Sequence, residues 1–135
     1  MTRFVWQRRL DGQPTWIACV DDAIVAALGE GMVEILRLED GTSRIVFAAH
    51  EVGLLSASCS ATHLATGGMD GYLRVWSWAG ERRAEFRIHG WVDHVAWAHD
   101  GSVVGAAGCG SDPEQDVMST RGAGLIRSGS RPEQG

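Results

Sequence analysis

His50, Thr66 and Asp70 are the residue types of a hydroxyl-nucleophile triad: an imidazole to take a proton, a carboxylate to orient it, a hydroxyl to attack. Their surroundings argue against that use. The strained G-x-S-x-G turn that lifts a nucleophile clear of a sheet occurs nowhere. Thr66 falls in the middle of the strand-like run His63–Gly67, and no second base accompanies it. Three further histidines, His89, His94 and His99, recur every five residues. On a strand, residues five apart point to opposite faces, so they do not converge on a metal. Cys19, Cys59 and Cys109 lack CxxC or Cys/His spacing, which argues against structural zinc. Gly67-Gly68 and Gly29/Gly31 lack the Lys-Ser/Thr ending and the following helix of a phosphate loop. The residue types predict a non-enzyme with no catalytic, cofactor or metal site.

Short strands must position these side chains. Tyr72-Leu73-Arg74-Val75-Trp76 and Arg83-Ala84-Glu85-Phe86-Arg87-Ile88 alternate in the two-residue period of a strand with one buried face. Turns carrying glycine punctuate the chain at Glu30-Gly31, Asp40-Gly41, Asp70-Gly71, Ala79-Gly80 and Asp100-Gly101. Helical periodicity is weak throughout, and the Ala-rich run Ala23–Leu28 lies too close to its flanking turns for a helix. The pattern predicts strands at Thr15–Val20, Ile24–Ala27, Met32–Arg37 and Ser43–Phe47. A second set follows at Val52–Ser58, His63–Gly67, Tyr72–Trp78 and Glu81–Arg87.

The two sets are copies. His50 and His89 are offset by 39 residues, as are Leu64 and Val103, and Gly71 and Gly110. Asp70 and Trp76 align backwards with Glu30 and Leu36 at an offset of 40. The clearest copy is Ala49-His50, then Leu64-Ala65-Thr66-Gly67-Gly68-Met69-Asp70-Gly71, then Leu73-Arg74-Val75-Trp76. It resembles one blade of a WD-repeat β-propeller, in which each repeat of about 40 residues forms a four-stranded sheet that needs neighbours. The resemblance implies an all-β fold, a partial propeller of four-stranded antiparallel blades. The expected layout over 1–109 is a latch-like strand at 2–7, blade one at 15–47, blade two at 52–88 and a partial blade three at 91–108. A disordered tail is expected over 110–135, where Gly, Ser, Arg and Pro dominate.

The resemblance also assigns roles. His50, Thr66, Asp70 and Trp76 match the family's structural hydrogen-bond network, with Asp70 accepting from His50 as its central contact. The network is degenerate in the flanking copies, which have Ala26, Glu30 and Leu36 before it and Gly105 and Cys109 after it. Met69 and Trp91 fall at the surface where such propellers bind partners, and are the candidate partner contacts. The implied function is a non-catalytic protein–protein interaction scaffold for a protein or peptide partner. A truncated or frame-shifted propeller fragment without independent activity is the alternative, and a propeller hydrolase has only fold analogy behind it.

Composition sets the remaining bounds. At 135 residues one domain is the upper limit, and a net charge of −5 leaves no basic nucleic-acid footprint. The longest apolar run, Ala23–Leu28, is too short to cross a membrane, and the arginines at 3, 8 and 9 precede no apolar signal segment. Scattered, odd-numbered cysteines suit reduced thiols in the cytoplasm. Six Trp against one Tyr suit bulky packing between flat β layers. Two and a half blades leave two apolar faces uncovered, and neither end of the sequence reads as a cap, so self-association through open blade faces is expected.

Overall fold

The structure, a computed structural model, describes residues 5–88, 90–98, 101, 103–109, 116–121 and 124–129; within the last three strands only Val104 has a described side chain. Among the described residues all regular structure is β, in three four-stranded antiparallel sheets whose strands follow chain order. Blade one is β1 (Pro14–Val20), β2 (Ala23–Leu28), β3 (Met32–Arg37) and β4 (Ser43–Ala48). Blade two is β5 (Leu54–Cys59), β6 (His63–Gly68), β7 (Tyr72–Ser77) and β8 (Arg82–Arg87). Blade three is β9 (Trp91–Trp97), β10 (Val103–Cys109), β11 (Asp116–Arg121) and β12 (Gly124–Gly129).

The strands form because apolar residues alternate where one face of a sheet is buried, and the faces follow from register. Val25, Ala27, Val33 and Ile35 of blade one point at blade two and meet Leu54, Leu64 and Trp76 there, with Phe47 and Trp16 at the margin. The Phe47 and Trp76 rings stack tilted at a centroid distance of 4.8 Å. The opposite face of blade two presents Ala65, Leu73 and Val75 to Val92 and Val104 of blade three. Blades two and three also bond directly. Ser56 Oγ donates to Val92 O at 3.1 Å, and the Trp97 indole N–H donates to Ser58 O at 3.0 Å. At Gly67 an added Cβ would lie 2.5 Å from Val92, so this seam depends on a residue without a side chain.

One sequence expectation needs correction. Blade three is complete rather than partial: β11 and β12 pair in register from Asp116↔Gly129 to Arg121↔Gly124, inside the stretch expected to be a disordered tail. Their β-forming residues, Val117, Met118 and Thr120 against Leu125 and Ile126, come in runs too short to stand out from a Gly/Ser background. Of the latch-like strand expected at 2–7, residues 2–4 lie outside the described residues, and Val5–Gln7 belong to no strand. The segment is held by side chains instead of a ladder: Trp6 and Arg8 donate to the carbonyls of Leu38 and Gly41 at 2.8 Å each.

Candidate functional site

β4 ends at Ala48, and the loop that follows delivers His50 into blade two. Thr66 lies on β6, Asp70 in the β6–β7 turn and Trp76 on β7. Thr66 faces Arg74, and Leu64 faces Trp76, in the β6–β7 ladder, which sets Thr66 and Trp76 on the same side of the sheet. The turn is tight: Gly71 takes φ +82°, a left-handed conformation that a side chain would strain. Gly68 is required for a second reason, since a Cβ there would lie 2.5 Å from His50 Nδ1.

The four side chains form one continuous chain of hydrogen bonds. The Trp76 indole N–H, which can only donate, gives to Thr66 Oγ1 at 2.9 Å. Thr66 Oγ1 and His50 Nε2 are 2.9 Å apart. His50 Nδ1 lies 3.0 and 3.1 Å from the two Asp70 oxygens. A carboxylate only accepts, so His50 carries its proton on Nδ1 and its Nε2 accepts the Thr66 hydroxyl. Burial depresses the His50 pKa below its ordinary value, outweighing the opposing pull of the Asp70 carboxylate, and keeps the ring neutral as this pattern demands. Thr66 has no exposed surface and its hydroxyl is used on both sides. A reacting group placed there would need an open approach, which Thr66 lacks. What the arrangement can do is fix the β6–β7 hairpin against the incoming loop.

The sequence reading missed the outer half of this network. Asp70 also accepts from the Tyr72 backbone N–H at 3.1 Å and from Arg74 at 3.4 Å. Arg74 in turn donates to Ala49 O and pairs with Glu85, both at 2.7 Å, and lies 4.8 Å over the Tyr72 ring. The signal was register: Arg74 faces Glu85 across β7–β8, four residues after Asp70. In blade one the aligned positions do different work. Ala26 and Leu36 are buried, and Glu30 accepts from the Gln13 backbone N–H at 3.1 Å.

The remaining candidates lie apart. His94 is exposed on β9, and His89 and His99 are outside the described residues. Cys19 is exposed and Cys59 half-buried, and the latter's thiol pKa is raised by burial. No group of His, Cys, Asp and Glu that could hold a metal occurs among the described residues. Met69 and Trp91 are both exposed large apolar side chains, as is Val52. They share one end of the sheets. Met69 N–H donates to Gly53 O at 2.8 Å, and Ile88 N–H to Gly71 O at 2.7 Å, tying the three loops into one rim. At the other end, a cleft of about 410 Å³ opens between blades one and two, floored by Ile35, Ile45 and Trp78 and edged by Asp21, Asp22 and Arg44.

Comparison with known proteins places this arrangement. The family described as WD domain, G-beta repeat, matches residues 41–77, the span from the end of blade one through β7. No curated protein sequence matches the chain. Among solved structures it is similar to the β-propeller domain of Cps50 (Swd1) from Myceliophteria thermophila, with TM-score 0.75 and 18% identity over 90% of this chain and 40% of that one. It is similar to the WD40 repeats of RRP9, with TM-score 0.71 and 17% identity over 82% and 36%. It also resembles the computationally designed Ika4 protein, with TM-score 0.77 and 15% identity over 94% and 79%. The chain thus spans about two fifths of the length of the first of these propellers. Residues 41–77 thus match a WD repeat, and the fold around them is that of part of a β-propeller.

Proposed function

We propose that the chain is a non-catalytic scaffold that presents the Val52–Met69–Trp91 rim to a protein or peptide partner. The observation that carries the reading is the contrast between the two ends of the hydrogen-bond chain. The groups with chemistry in them are consumed inside blade two, while Val52, Met69 and Trp91 are exposed on and beside the linked loops at one end of the blades. Trp is a favoured interface anchor and Met a deformable one. The acidic net charge supports a partner other than nucleic acid, and no membrane role is invoked. No helix among the described residues is long and apolar enough to cross a membrane. A cytoplasmic setting agrees with the two unpaired cysteines among the described residues.

The experiment is photo-cross-linking from position 52, on the loop bonded to the Met69 turn, in cell lysate, with Trp91→Ala and Met69→Ser as the tests. A scaffold loses its cross-linked protein band at least tenfold in both variants at unchanged circular dichroism. A band of equal strength in both would overturn the rim as the contact surface. The share of natural propeller chains that this one spans supports a second reading, in which these blades work only within a larger ring. In that case the cross-linked partner is itself propeller sequence.

A further inference from the structure

The outward face of blade one, away from blade two, has no neighbouring sheet among the described residues, yet it is buried like an interior face. Ala26 is 0% exposed, Leu28 2%, Leu36 3% and the carboxylate Glu34 6%. Register puts them together: Ala26 pairs with Glu34 and Ile24 with Leu36, while Val25 and Ile35 pair on the face that meets blade two. By repeat offset, Ala26, Glu34 and Leu36 occupy the positions of Thr66, Arg74 and Trp76. Those are the residues on the face through which blade two seats against blade one. The outward face of blade one is therefore the equivalent of a working inter-blade surface.

What covers it is the start of the chain. The Trp6 indole donates to Leu38 O at 2.8 Å, and its ring lies so close to Gly41 that a Cβ there would sit 2.6 Å away. Arg8 donates to Gly41 O at 2.8 Å and pairs with Glu34 at 3.2 Å. This ion pair gives a buried carboxylate its counter-charge, which a β-sheet face left open would not provide. The cover is incomplete. A groove of about 560 Å³ remains between segment and sheet, lined by Leu10, Leu28, Met32 and Val46 as well as the ion pair.

We propose that residues 5–12 are an end cap that occupies a blade-accepting surface, and that opening the Arg8–Glu34 pair gives this surface to a second copy of the chain. The second copy is the occupant that the repeat implies, because the surface is the register equivalent of one this chain already uses to join its own blades. The proposal stands independently of the partner-binding rim, which is on the loops and not on a sheet face.

The test is the mass of the 135-residue chain in solution by light scattering. Arg8→Glu, which sets two carboxylates against each other, and Trp6→Ala each raise the mass at least twofold at a concentration where the parent chain's is constant. The charge swap Arg8→Glu with Glu34→Arg returns it to the parent value. Unchanged mass in both single variants, with native circular dichroism, overturns the proposal, as does a swap that stays associated. Should the single variants unfold, Glu34→Gln serves as the milder change: trypsin cleaves after Arg8 and Arg9 several-fold faster in it than in the parent. Equal cleavage rates overturn the cap.

Discussion

At the residue scale, the account rests on which atoms donate and which accept. Removing the Asp70 carboxylate leaves the Nδ1–H of a buried imidazole, the Tyr72 N–H and part of Arg74 without their acceptor. Asp70→Ala is expected to cost roughly 1–3 kcal/mol in urea unfolding, and a variant as stable as the parent would remove the network from its central place. Gly68→Ala forces a Cβ against His50 and is expected to cost about 1–3 kcal/mol by the same measurement. The His50 titration adds a pH dependence whose sign is fixed. Its pKa is lowered on folding from an unfolded value of 6.5, so at acid pH the unfolded chain binds a proton that the folded chain refuses. This contribution to stability is present above pH 6.5 and declines as the pH falls below it towards the folded pKa. Unfolding measured from pH 8 to pH 5 should show that decline, and His50→Gln should reduce it. The sequence already contained His50, Thr66, Asp70 and Trp76 at the right spacing. Arg74 and Glu85 escaped because a cross-strand ion pair becomes visible only once the register between β7 and β8 is known.

At the element scale, strands were legible where alternation and a glycine turn coincided. Met32–Arg37 agrees at both ends, and the other strands of blades one and two differ by no more than two residues at either end. What could not be read was structure made without alternation. β12 runs Gly-Leu-Ile-Arg-Ser-Gly, where two adjacent apolar residues stand between small and polar ones. The capping segment carries no strand pattern because its anchors are an indole and a guanidinium bonded to carbonyls. Packing between the elements gives a further expectation. Leu54 and Leu64 are fully buried in the cluster that joins blades one and two. Leu64→Ala should cost about 2–5 kcal/mol in thermal or urea unfolding. A loss below about 1 kcal/mol would mean that the two sheets do not pack through this surface.

At the scale of the whole molecule, three blades follow one another in chain order among the described residues. Each inner seam has its own apolar cluster, and the two polar devices sit on equivalent faces: the hydrogen-bond chain on blade two and the Arg8–Glu34 pair on blade one. Equivalent faces of two blades thus carry different polar devices, one against a neighbouring blade and one against the segment that holds Arg8. Function follows from rigidity, because a blade whose buried polar groups are all satisfied holds its loops in fixed positions. The central claim is that His50 is a neutral structural relay inside this array and not a base awaiting a substrate. Nitrogen-15 NMR of the histidine ring across the pH range tests it most directly. The account predicts a proton on Nδ1, an unprotonated Nε2 and a titration midpoint below 6.5. A proton on Nε2 with a midpoint at or above 6.5 would contradict it.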